Sequence, residues 1–253
     1  MLTDEDKLHK EYSHNLGRDM EYKIYGHAGK PMLVFPTSLG RFYQYEDSGM
    51  IDTLSSFIEA GKLQIWACDS LDEETFFSTH WNNEDRIHRH EQYDKYIAHE
   101  LIPGILHESK HSNGGTDQRI LISGCSMGAY YSASFFFRYP HYFDTLIALS
   151  GVYSTYYFFG DYMSGNVYLN SPLHYLPGLT DEHYLNQYRS STIIACVGQG
   201  AYEDEMLHET RLLQEVLGQK GIPARIDYWG HDVSHDWPWW NKQIHYYVEG
   251  CLG

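Results

Sequence analysis

Arg119-Ile-Leu-Ile-Ser-Gly124-Cys125-Ser126-Met127-Gly128-Ala129-Tyr130 is a strand-like apolar run that ends in Gly-x-Ser-x-Gly and passes directly into small and aromatic residues at helical spacing. A serine at the tip of a sharp strand-to-helix turn needs neighbours without bulk two positions before and two after it, and Gly124 and Gly128 supply them. Such a turn aims the backbone N–H of Met127 at the place where a tetrahedral intermediate would carry its negative oxygen, and the start of the next helix adds its dipole. A chain of 253 residues with 22 Gly contains this pattern by chance about 0.15 times, so the flanks decide. Ile120, Leu121 and Ile122 read as a buried parallel strand, and Ala129, Ala133, Phe136 and Phe137 as the packed face of the following helix. Both flanks favour a nucleophilic serine over a plain tight turn.

In the α/β-hydrolase fold that such an elbow implies, the partners follow in the order serine, acid, histidine, each on a loop beyond the carboxyl end of a strand. Thr192-Ile-Ile-Ala-Cys-Val197 is an apolar run that breaks at Gly198-Gln-Gly200, and Glu203, Asp204 and Glu205 follow before an amphipathic helix from about Met206 to Gly218. Asp204 is the favoured acid, because aspartate is the commoner orienting residue and it sits just before the helix; Glu203 is the alternative. All three carboxylates also suit a helix N-terminus for electrostatic reasons alone. The next strand, Ala224–Trp229, ends at Gly230-His231-Asp-Val-Ser-His235-Asp-Trp237-Pro238. His235 lies deeper in the loop, just before a helix that Pro238 can open, and is preferred as general base over His231. His231 is left as a loop histidine bonded to neighbouring carbonyls. The i, i+4 spacing of the two histidines is that of a zinc pair on a helix, but Gly230 and Pro238 mark this segment as loop. One oxyanion donor is the N–H of Met127; the other is expected from Ser38 or Leu39, in the loop Pro36-Thr-Ser-Leu-Gly40 after the strand Met32–Phe35.

The chain resembles the esterase family of the α/β-hydrolase superfamily that includes esterase D, feruloyl esterases and the antigen 85 mycolyltransferases. The likeness is carried by Gly124-Cys-Ser126-Met-Gly128 and by His235-Asp-Trp237-Pro-Trp239-Trp240, and runs from about Met20 to Tyr247. It implies that Ser126 is the nucleophile and that His235, not His231, is the catalytic histidine. Two departures stand out: the oxyanion loop lacks the His-Gly pair of many relatives, and the acid loop Gly198–Asp204 is longer. The group spans deacetylation, feruloyl release, thioester hydrolysis and acyl transfer, so no substrate is inherited from the fold.

At 253 residues the chain suits one α/β domain, spanning residues 1–253, with a mostly parallel central sheet and helices on both faces. Leu63–Cys68 and Thr145–Leu149 read as further buried strands, Glu21–Tyr25 as an early antiparallel edge strand, and Met50–Ala60 and Glu84 to about Leu106 as helices. The net charge of −16 disfavours nucleic acid and anionic membrane as partners. No signal peptide or apolar span is visible, which makes the cytoplasm the expected location. Cys68, Cys125, Cys196 and Cys251 are expected as free thiols, with the Cys125 side chain directed away from Ser126. The 16 histidines include no His-Glu-x-x-His pair, and neither metal nor other cofactor is called for.

Residues 151–190 are too many for an ordinary connection, and inserts at this place commonly form a cap over the nucleophile. Tyr156, Tyr157, Phe158 and Tyr162 are the candidate substrate-binding residues, giving an apolar acyl or aryl pocket with phenolic hydroxyls. A packed structural excursion is the competing reading. The expected function is a serine carboxylesterase that hydrolyses small acyl or aryl esters through a Ser-His-Asp triad and an acyl-enzyme. The alternatives are an acyltransferase with the same triad, or a non-catalytic ligand- or partner-binding protein; a homo-oligomer is compatible with all of them.

Overall fold

The computed structural model describes residues 7–253. Its strands are Lys7–Ser13 (β1), Arg18–Tyr25 (β2), Lys30–Phe35 (β3), Leu63–Cys68 (β4), Ile120–Cys125 (β5), Phe143–Leu149 (β6), Thr192–Val197 (β7) and Arg225–Tyr228 (β8). They form one sheet in the order β1-β2-β4-β3-β5-β6-β7-β8. β2 runs antiparallel to both neighbours and the other pairings are parallel. The helices are Gln44–Asp47 (α1), Met50–Glu59 (α2), Asn83–Tyr96 (α3), Ile102–Ser112 (α4), Met127–Arg138 (α5), Tyr156–Phe159 (α6), Gly165–Leu169 (α7), Pro172–Tyr175 (α8), Glu182–Arg189 (α9), Asp204–Gln219 (α10) and Trp237–Leu252 (α11). This is the α/β-hydrolase arrangement that the elbow implied.

The apolar strands alternate their side chains between two cores, as the period of two requires. Leu33, Phe35, Ile120, Ile122, Leu146 and Ala148 face α3, α4, α5 and α10. Met32, Val34, Leu121, Ile147 and Ile194 face α2 and α11. On α2 the buried positions Met50, Ile51, Leu54, Phe57 and Ile58 make a helical stripe, each side chain contributing about 1.5–3 kcal/mol by leaving water. α5 was expected to bury one face, but Met127 to Phe137 are all buried, because the segment after β6 and helix α3 cover the side turned from the sheet.

Two further elements differ from the sequence expectations. The true edge strand is β1, whose Lys7-Leu-His-Lys-Glu-Tyr-Ser is mostly exposed on both faces and so carries no apolar signal; β2 lies inside it. The long helix from Glu84 is interrupted by a π-helical turn at Ile97–Leu101, just where Pro103 has no N–H to give the His99 carbonyl. Residues 151–190 form α6 to α9 and a 3₁₀ turn, strapped to the body of the protein at several points. The buried Glu209 carboxylate on α10 accepts from the N–H groups of Tyr153 and Ser154, and Tyr130 on α5 donates to the Asn170 carbonyl (2.8 Å). The Asn170 side chain joins His90 (3.0 Å), Arg138 and Glu91. Among the described residues no helix is long and apolar enough to cross a membrane.

Candidate active site

Ligand sites in open α/β sheets lie beyond the carboxyl ends of the strands, and the loops after β3, β4, β5, β7 and β8 meet there. Ser126 follows β5 with φ +56° and ψ −118°, a conformation that costs a non-glycine residue of the order of 1–3 kcal/mol. Close backbone approach enforces it. A Cβ on Gly124 would lie 2.4 Å from the carbonyl of Gly128, and a Cβ on Gly128 would lie 2.4 Å from the Phe35 oxygen. The Ser126 N–H is tied to Leu149 O at 2.9 Å. Cys125, next along the chain, points into the opposite core, and burial pushes its thiol well above its ordinary pKa.

Ser126 Oγ stands 2.8 Å from His235 Nε2, and His235 Nδ1 stands 3.2 Å from Glu203 Oε2. Glu203 is 1 % exposed. Its other oxygen accepts from Ser150 Oγ at 2.6 Å, and Ser150 Oγ in turn accepts from Trp240 Nε1 at 3.0 Å. The Trp240 ring packs edge-on against the His235 imidazole, with centroids 4.8 Å apart. With the carboxylate accepting at Nδ1, the ring carries its proton there and leaves Nε2 open to the serine hydroxyl.

The acid and histidine loops interlock. Gly200 N–H bonds Val233 O (2.9 Å), His235 N–H bonds Ala201 O (3.0 Å), and a Cβ on Gly198 would lie 2.2 Å from Val233 O. These ties decide which carboxylate meets the histidine. With Tyr202 at φ +64°, Glu203 turns inward beneath His235, and Asp204 begins α10 one residue on, exposed where it borders the cavity. Asp204, favoured from the sequence, therefore lies at the rim of the site, and its alternative Glu203 takes the place beside His235. His231 is exposed and its side chain makes no hydrogen bond among the described residues, contrary to the carbonyl-bonded role expected of it.

Of the three expected oxyanion donors, two are free. Met127 is the first residue of α5 and its N–H has no intrahelical acceptor. The Ser38 N–H has no acceptor among the described residues, and both residues line the cavity above Ser126. Leu39 is excluded: its N–H donates to Asp72 Oδ2 at 2.7 Å. The cavity measures about 370 Å³. Tyr157 and Phe158 line it as expected, together with Phe77, Val152, Tyr202 and Met206, which no sequence signal marked. Tyr156 and Tyr162 do not line it. Tyr156 points to solvent, and the Tyr162 hydroxyl is bonded to Glu84 on α3. Among the described residues no group of three or more His, Cys, Asp or Glu side chains is arranged to hold a metal ion.

The sequence profile of the esterase family described as "Putative esterase" matches residues 13–248. The chain belongs to this esterase family. No curated protein sequence is significantly similar to the esterase. Its fold is similar to that of a ferulic acid esterase (TM-score 0.73, 16% identity, 98% of each chain covered). It is also similar to an S-formylglutathione hydrolase from Agrobacterium tumefaciens (TM-score 0.71, 13% identity, 98% of this chain and 95% of that one). A third similar structure is Mycobacterium tuberculosis MPT51 (TM-score 0.70, 13% identity, 99% of each chain). At these identities the likeness establishes the fold, and the family profile establishes ester hydrolysis as the activity class.

Proposed function

We propose that the esterase is a serine carboxylesterase in which Ser126 is the nucleophile, His235 the general base and acid, and Glu203 the orienting acid. The observation that carries this reading is the unbroken chain from Ser126 Oγ through His235 to Glu203, set beside the cavity. His235 Nε2 takes the Ser126 proton as Oγ attacks the ester carbonyl, and Glu203 holds the Nδ1 proton and stabilises the imidazolium. Met127 and Ser38 N–H groups bind the developing oxyanion. Collapse of the tetrahedral species expels the alcohol, which takes its proton from His235 and leaves an acyl group on Ser126. Water, deprotonated by the same histidine, then releases the carboxylic acid.

The substrate class follows from the walls. Phe77, Val152, Phe158 and Met206 offer an apolar surface, Tyr157 and Tyr202 stand at its open side, Asp204 and Glu205 border it, and among the described residues no Lys or Arg side chain lines the cavity. Small acyl or aryl esters fit this lining and size. Residues 151–190 serve as a fixed cap, since buried hydrogen bonds hold them at both ends of the aromatic stretch. The test is hydrolysis of p-nitrophenyl esters from acetate to decanoate by the wild type and Ser126→Ala. Turnover that falls by at least about 10⁴ in the variant, with a fluorophosphonate adduct formed only by the wild type, is the expected result. No turnover and no adduct in either protein would sink the triad.

A further inference from the structure

Asp72 lies in the short 3₁₀ turn Asp72–Glu74 that follows β4, is 1 % exposed, and has no Lys, Arg or His partner among the described residues. A carboxylate out of water without a cation is costly, and such groups collect at functional sites. Its two oxygens serve two different segments. Oδ2 accepts from the Leu39 N–H at 2.7 Å, and Oδ1 accepts from the Tyr131 hydroxyl at 2.6 Å. Leu39 is the neighbour of Ser38, and Tyr131 lies four residues along α5 from Met127, on the same face one turn away.

The oxyanion loop gains its shape from these bonds. Leu39 sits at φ +59°, a region that leucine seldom adopts. On the other flank, Gln44 receives the Thr37 N–H (2.8 Å) and donates to Thr37 Oγ1 (2.9 Å), while Gly40 N–H bonds Thr37 O (2.9 Å). Ser38 is left between two fixed neighbours with its own N–H free. The geometry points to Asp72 as a positioning residue that sets the width of the oxyanion hole: one carboxylate grips the Ser38 loop and the Met127 helix and fixes the separation of their two N–H donors. This rests on the reading of Ser126 as nucleophile.

Asp72→Asn and Tyr131→Phe test it, with kcat and KM measured on p-nitrophenyl acetate and the dissociation constant on phenylboronic acid, a tetrahedral mimic. The asparagine keeps the volume, but its amide nitrogen cannot accept, so one of the two bonds is lost. Removing an oxyanion donor outright costs about 10²–10³, which caps the effect. For Asp72→Asn, kcat should fall about 10- to 100-fold with KM within about twofold, and boronate affinity should weaken by the same factor as kcat. Tyr131→Phe keeps the Leu39 bond and should lose about threefold in kcat. A merely structural role would lower the fraction of sites titrated by a fluorophosphonate while leaving kcat per titrated site and boronate affinity unchanged. That result, or wild-type kcat in both variants, would overturn the assignment. Absence of hydrolysis by the wild type would instead bring down the proposed function and this inference with it.

Discussion

Around Ser126 the backbone is shaped by contact: Gly124 meets Gly128 and Gly128 meets the Phe35 carbonyl, so two glycines and a strand end leave the chain one path. Around Glu203 and Ser38 hydrogen bonds do the holding: Ser150, which itself accepts from Trp240, on the Glu203 carboxylate, and Asp72 with Gln44 on the backbone N–H groups either side of Ser38. Contact fixes a turn through local residue size, so the motif that makes the turn is also its signature. Hydrogen bonding across the fold fixes a loop through partners that no local pattern names.

Glu203→Gln and Asp204→Asn strike at this difference with the largest expected effect. Loss of the carboxylate beside His235 should lower kcat about 10³- to 10⁴-fold, by analogy with replacement of the orienting acid in other triads, whereas Asp204→Asn at the rim should change it by less than about threefold. Comparable losses in both, measured as kcat on a p-nitrophenyl ester, would mean that the loop does not hold one carboxylate inward.

On the elbow side, Gly128→Ala puts a methyl against the Phe35 oxygen at 2.4 Å, and backbone cannot yield as a flexible side chain can. Relief requires α5 and β3 to part, which should cost about 3 kcal/mol or more, seen as a fall in Tm of about 10 °C together with loss of turnover. An alanine variant with wild-type Tm would show that the turn is not contact-driven.

These two cases also explain what could be read in advance. Gly124-Cys-Ser126-Met-Gly128 and the apolar runs of β3 to β7 are local patterns, and the sheet and the place of Ser126 at the end of β5 followed from them; His235 was marked separately, by its loop before Pro238 and the helix that follows. Asp204 was favoured over Glu203 for its residue type and its place before the helix, but which carboxylate meets His235 depends on Tyr202 at positive φ and on Val233 bonding the loop from another strand end. Leu39 seemed as good a donor as Ser38 because Asp72, the residue that occupies its N–H, lies 33 positions away. Tyr162 was placed in the pocket from its aromatic neighbours, but its partner Glu84 is on α3. β1 escaped notice since an edge strand of Lys, His and Glu has no apolar face.

A loop held by a buried carboxylate should show a pH signature that a packed elbow lacks. Burial raises the Asp72 pKa to about 6, opposed by the hydrogen bonds from Tyr131 and Leu39, with neighbouring Glu73 raising it further. The unfolded chain releases this proton near pH 4, so between about pH 4 and 6 the folded state binds more protons than the unfolded one. Stability from this group therefore falls as pH rises through that window, by about 3 kcal/mol at most. Asp72→Asn removes the titration. Urea midpoints at pH 4.5 and 7 should show the variant gaining on the wild type at the higher pH, and a constant difference would place the ionisation elsewhere.

The smallest effect is the most specific to the acid loop. Ser150→Ala removes the 2.6 Å donor to Glu203 Oε1, leaving that oxygen, among the described residues, only the Gly198 N–H at 3.4 Å, and it strands the Trp240 Nε1–H. A lost hydrogen bond to a buried carboxylate is worth about 1.5–3 kcal/mol, but Glu203 remains beside His235, so only part of that should reach the transition state, about tenfold in kcat. Trp240→Phe keeps an aromatic ring beside His235 while removing the donor to Ser150, for about threefold. If Trp240 acts on the acid through Ser150, the double variant should be no slower than Ser150→Ala alone, because the indole N–H has nothing left to orient. Additive losses would instead assign Trp240 a direct role in packing His235, and would make the acid loop, like the elbow, a matter of contact.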